Sequence, residues 1–126
     1  MTIKELQTKV LDWADDKDLL HAKNTDKQFM KFVEEVFEFK TEMDVWELYK
    51  KFKHDENIEH DFSIDEVERW KNLKLEMGDI FVTLIILCKQ IGIDPMECLS
   101  MAYKKISKRT GKTINGQFIK SEDLNE

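Results

Sequence analysis

The chain has 126 residues, 26 of them acidic and 20 basic, for a net charge of −6, with 41% hydrophobic and 37% charged side chains. That length suits one hydrophobic core, so a single domain over residues 1–126 is expected, and the balance of apolar to charged residues argues against disorder. The acid excess argues against a broad nucleic-acid or anionic-membrane surface, leaving room for a local basic site.

One Pro and four Gly favour long helices over a many-stranded fold. Thr2 and Glu5 form a capping box that opens a first helix from Ile3 to about Lys17, with Leu6, Val10, Trp13 and Ala14 at helical spacing. Asn24, Thr25 or Asp26 can cap a second helix beginning near Lys27 and continuing to about Phe52. Its apolar face is expected to bury Phe29, Phe32, Val33, Val36 and Met43, leaving Lys31, Glu35, Glu38 and Glu42 on the flank and far side. The run from His54 to Asp61 reads as a solvated loop; His54 and His60 stand near acids, but their spacing matches no common ligand motif.

Ser63 and Glu66 make a second capping box, opening a helix expected over residues 64–91 that stops at Gly92. Asp94 as N-cap and Pro95 at the first helical position open a fourth helix, 95–109. In the tail, 110–126, Asn115-Gly116 between short apolar pieces is the strongest local signal for a β-hairpin. The expected fold is all-α: four helices with a short C-terminal hairpin. The N-terminus lacks an apolar signal core, and the run Ile80 to Leu87 is too short to span a membrane. Cys88 and Cys98 read as reduced cysteines, which points to a cytoplasmic protein.

Two pairs of acids stand out. Glu35 and Glu38, and Glu76 and Asp79, are each spaced i, i+3, which places each pair on one helical face about 5–6 Å apart at Cβ. Two such pairs facing one another would form an all-oxygen cage of the kind Mg²⁺ or Mn²⁺ prefers. The third helix is apolar almost all the way round between Leu73 and Leu87, so it is expected to be central and buried. Yet Asn72, Glu76, Asp79 and Thr83 draw one narrow polar line along it. A salt bridge from another helix, an exposed stripe or a metal site would each account for that line, since buried carboxylates are costly unless paired or metal-bound. Gly78, beside Asp79, points to close approach by a neighbouring helix or ligand. A di-iron bundle is disfavoured, because no His has a Glu three residues before it.

Glu34-Glu35-x-x-Glu38 followed by Glu76-x-x-Asp79 resembles the signature of the all-α nucleoside triphosphate pyrophosphohydrolases, the MazG-like and dimeric dUTPase superfamily. The ending Arg109-Thr110-Gly111-Lys112 with Asn115 to Lys120 is similar to small stand-alone MazG-like proteins of bacteria and phages. The resemblance implies a four-helix MazG-like bundle that hydrolyses (deoxy)nucleoside triphosphates to the monophosphate and pyrophosphate. It implies Mg²⁺ ligands at Glu35, Glu38, Glu76 and Asp79, with Mn²⁺ able to substitute, and a supporting acid at Glu34. Lys31 matches a lysine preceding the first motif, Lys105 and Arg109 match residues that reach the phosphates, and Tyr103 falls at a substrate-facing position. Glu34 or Glu38 is a candidate general base, and Trp13 a candidate wall for the nucleobase. A homodimer or a tetramer of paired dimers is implied, with no nucleic-acid or membrane partner. The gap between the two motifs exceeds the family's usual one, the excess falling at Asp44 to Arg69. Two alternatives are a helical interaction module without turnover and a related enzyme such as a phosphoribosyl-ATP pyrophosphohydrolase.

Overall fold

A computed structural model describes residues 1–53 and 66–124; the His54–Asp61 stretch and the Ser63 cap lie outside these. The described chain is all-α with one small hairpin, and it divides into two compact units, Met1–Gly92 and Ile93–Glu126. None of its described helices is long and apolar enough to cross a membrane.

The first unit begins as its sequence dictates. Thr2 Oγ1 accepts a hydrogen bond from the Glu5 N–H at 3.1 Å, relieving one of the orphan donors at the start of α1 (Ile3–Asp16). Asp18, at φ +60°, turns the chain, and its carboxylate pairs with the His21 ring. One 3₁₀ turn, Ala22–Asn24, leads into α2 (Thr25–Phe52), which starts two residues before Lys27. Helix α3 (Glu66–Ile91) ends where Gly92, at φ +82°, supplies the left-handed conformation that closes a helix.

Helices α2 and α3 run antiparallel. Gln28 Nε2 near the start of α2 donates to Thr83 O late in α3 at 3.2 Å, while Lys53 at the far end meets Glu66 at 3.4 Å. Between those points the Trp46 and Trp70 rings lie 5.2 Å apart, with Tyr49 stacked on Trp46 and the Arg69 guanidinium 5.5 Å over Tyr49. Helix α1 packs on α3, and Gln90 Nε2 ties the following turn to α3 by donating to Leu19 O at 2.7 Å.

Burial departs from the sequence expectation on both long helices. Phe32, Val33 and Met43 turn inward, but Phe29 and Val36 are exposed, and the only buried residue of α2 is Glu35. Helix α3 is not buried all round either: Leu75 and Phe81 are more than half exposed, and Thr83 on the polar line is buried. The polar line is thus graded, from buried Thr83 through half-buried Glu76 and Asn72 to exposed Asp79, while Leu75, Met77 and Phe81 are the exposed part of the apolar circumference. Gly78 meets nothing: a Cβ there would have no heavy atom within 4 Å. Close approach by a neighbour within the described chain is not its reason.

In the second unit, Asp94 Oδ1 accepts from the Met96 N–H at 3.0 Å and Pro95 occupies the first turn of α4 (Pro95–Ile106). The helix ends at Ile106, three residues short of the expected Arg109, and Ser107 N–H closes it on Tyr103 O at 2.9 Å. Strands β1 (Gly111–Ile114) and β2 (Gln117–Lys120) then pair antiparallel, with Gly111 opposite Lys120 and Ile114 opposite Gln117. Asn115 and Gly116 both have positive φ, as a type I′ turn requires. Gly111 is obligatory, because a Cβ would run into the Ile119 carbonyl oxygen.

Candidate metal centre

Helical spacing does the first step of assembly. On α2, Lys31, Glu35, Glu38 and Glu42 recur at intervals of four, three and four and so share one stripe; on α3, Asn72, Glu76, Asp79 and Thr83 do the same. Antiparallel packing brings the middle of one stripe against the middle of the other. One carboxylate oxygen each from Glu35, Glu38 and Glu76 lies within 4.8 Å of the other two. Two oxygens on one Mg²⁺ with bonds of about 2.1 Å stand about 3 Å apart in cis and about 4.2 Å apart in trans. A small rotamer contraction would bring the three donors to that spacing.

The electrostatics of the cluster are unusual for a protein surface. Glu35 is only 6% exposed, and its Oε2 and the buried Oε2 of Glu76 have no hydrogen-bond partner. A buried carboxylate oxygen without a donor costs on the order of 1–3 kcal/mol or more. The carboxyl of Glu38 is held above its ordinary range, first by its hydrogen bond to the Glu35 carboxyl, then by burial and by the charges of Glu35, Glu76 and Glu34. Glu76 is raised chiefly by burial, then by the charges of Asp79, Glu35 and Glu42. One cation offsets this. Lys31 Nζ lies 3.1 Å from Glu35 Oε1 and 3.6 Å from Glu34 Oε2, and the Glu35 hydrogen bond is the main reason its own pKa rises. Crowded carboxylate oxygens are the hard donors a divalent cation prefers, so the residues present are chemically compatible with Mg²⁺.

Asp79 stands one turn from Glu76 on α3 and is not among the three converging oxygens. Its charge adds to the field on Glu76, and its side chain lines a groove of about 390 Å³ between α1 and α3 with Leu6, Lys9, Val10, Trp13 and Val82. Trp13, half exposed, thus shares a groove with an acid of the second pair. Glu34 is exposed and engaged by Lys31.

Tyr103, Lys105 and Arg109 belong to the second unit and are exposed. Because α4 stops at Ile106, Lys105 and Arg109 are not one turn apart on a helix: Arg109 lies in the connection to β1. It lines a basic cleft of about 430 Å³ with Lys108, Thr110, Lys120, Ser121 and Glu122.

Two members of the inner polar layer were not singled out from the sequence. Glu42 adds its charge to Glu76, and the Gln28 amide seals the layer at Thr83. Glu42 continues the three–four spacing of Glu35 and Glu38, which was the available signal; nothing in the sequence marks Gln28. Compared with known proteins, the chain matches no family model, no curated protein and no solved structure.

Proposed function

We propose that this chain is a Mg²⁺-dependent nucleoside triphosphate pyrophosphohydrolase that converts (deoxy)nucleoside triphosphates to monophosphate and pyrophosphate. The observation that carries the reading is the convergence of Glu35, Glu38 and Glu76 on one point, with two buried oxygens that no donor reaches. These three carboxylates would hold the ion, with Asp79 one turn away able to join them on substrate binding. Mg²⁺ bound there would supply charge neutralisation for the phosphates and acidify a water for attack on the α-phosphorus.

The chain's own groups have separable tasks in this reading. Glu35, held by burial and by Lys31, would set the position of the cage, and either of the exposed Glu34 and Glu38 would accept a proton from the attacking water. The groove under Trp13 offers an apolar wall to the nucleobase beside Asp79. In the second unit, Lys105, Arg109 and Tyr103 remain candidate phosphate contacts, Arg109 through its two-pronged guanidinium. Cys88 and Cys98, which form no disulfide, fit a reducing, cytoplasmic setting. The exposed apolar side chains Phe29, Met30, Phe37, Leu75 and Phe81 favour a homodimer or tetramer that covers them.

That same exposed face also favours a second reading, an interaction module without turnover. A panel of NTPs and dNTPs incubated with Mg²⁺ separates the two. Monophosphate plus pyrophosphate is the expected product; inorganic phosphate alone, or no turnover with any divalent metal, overturns the enzyme reading.

A further inference from the structure

Buried anionic clusters need a counter-charge even before a metal arrives. In this protein the group in position is Lys31. Its ammonium sits 3.1 Å from Glu35 Oε1, the carboxylate is 6% exposed, and the pair are spaced i, i+4 on α2, so the contact follows from the helix itself. The lysine side chain remains about half exposed, so its head can leave for water at little cost, whereas Glu35 cannot. The remaining Glu35 oxygen, Oε2, has no donor. One oxygen of Glu35 is thus held by a cation on a flexible stem, while the carboxyl also meets Glu38.

We propose that Lys31 is an exchangeable counter-ion: it neutralises Glu35 in the metal-free protein and is displaced when a divalent cation enters the cage. This rests on the metal-cage reading and deepens it. Two cations drawn to the same carboxylate repel each other, so the monovalent, mobile one yields. Lys31 is then a positioning residue. It holds the buried Glu35 carboxylate in place while the cage is empty, and it sets how much metal is needed to fill it.

The test is direct binding of Mn²⁺ to wild type, Lys31→Met and Lys27→Met, read by electron paramagnetic resonance and calorimetry, with melting temperatures measured in chelator and in excess Mn²⁺. Lys27 is exposed one turn before Lys31 and controls for loss of a positive charge in the neighbourhood. Displacement predicts that Lys31→Met melts lower than wild type in chelator and binds Mn²⁺ about threefold more tightly or better, consistent with an ion pair of this kind. Its melting temperature should then rise more on Mn²⁺ addition, while Lys27→Met behaves as wild type. Equal or weaker Mn²⁺ binding by Lys31→Met, or equal tightening by Lys27→Met, overturns the counter-ion role and leaves the cage standing. Absence of Mn²⁺ binding to wild type overturns both.

Discussion

The α2–α3 pair carries two contrasting regions, a patch of crowded carboxylates and a set of apolar side chains left in water. Glu35, Glu38 and Glu76 converge where the two helices meet, while Phe29, Met30, Phe37, Leu75 and Phe81 are exposed. Each large apolar side chain left in water forfeits about 1.5–3 kcal/mol. The comparison teaches that each region has its own remedy: a cation would satisfy the carboxylates, and a cover would satisfy the apolar side chains. Completing either region changes what the other can do, because the same two helices carry both.

The largest expected effect comes from emptying the carboxylate patch. Glu38→Gln and Asp79→Asn should each lower pyrophosphate release at least about a hundredfold, the scale on which electrostatic groups in phosphoryl chemistry act. Circular dichroism should show unchanged helix content. Retained turnover in the Asp79 variant would confine the cage to the three oxygens that already converge.

Breaking the apolar region comes next. Phe37→Asp or Phe81→Asp places a charge where each aromatic ring is now more than half exposed. If a second copy covers these residues, sedimentation velocity should show a shift to a smaller species, with a lower melting temperature. An unchanged mass would leave the region uncovered in solution.

The carboxylate patch also predicts a pH dependence. Glu38 and Glu76 are raised above 4.5, so the metal-free folded state holds protons that the unfolded chain has released. Their contribution to stability is present below the ordinary carboxyl value and is lost as pH rises through the raised values. Melting temperature in chelator should therefore fall as pH climbs from about 4.5 into the range above it. Excess Mg²⁺ should flatten that fall, because the ion replaces the protons. A melting temperature that climbs steadily over the same range in chelator would contradict the crowding of carboxylates.

The smallest effect sharpens the boundary between the regions. Gly78 has open space where a Cβ would sit, so Gly78→Ala should stabilise α3 by about 1 kcal/mol, measured by denaturant unfolding. A loss of stability instead would mean that a second copy approaches the helix there.

Local signals in the sequence proved more legible than facing. Thr2, Asp94 with Pro95, and Asn115-Gly116 act within four residues of themselves, and the caps and hairpin formed where those residues stand. The end of α4 was less legible: pairing of Gly111 with Lys120 demands extended chain just after Thr110, a long-range constraint that pulls Lys108 and Arg109 out of the helix. The orientation of α2 was misread for a different reason. Apolar residues occur on both sides of it, so periodicity ranks Phe29 and Val36 as inward as readily as Phe32 and Val33. Hydropathy counts Glu35 as a penalty, although a shared proton, a lysine or a metal reverses the sign. The acidic pairs were visible as spacing, but the separate placement of Asp79, in the groove with Trp13, depends on where α1 packs.

The tryptophans give this architecture an optical signature. Trp46 and Trp70 are close enough for their excited states to couple, so a couplet in near-ultraviolet circular dichroism would report the pairing of the distal parts of α2 and α3. Trp13 lies apart from them on α1, half exposed beside Asp79, so its emission would respond to what enters that groove. With Trp46→Phe and Trp70→Phe removing the coupled pair, one remaining fluorophore becomes a built-in titration probe, and no external dye is required.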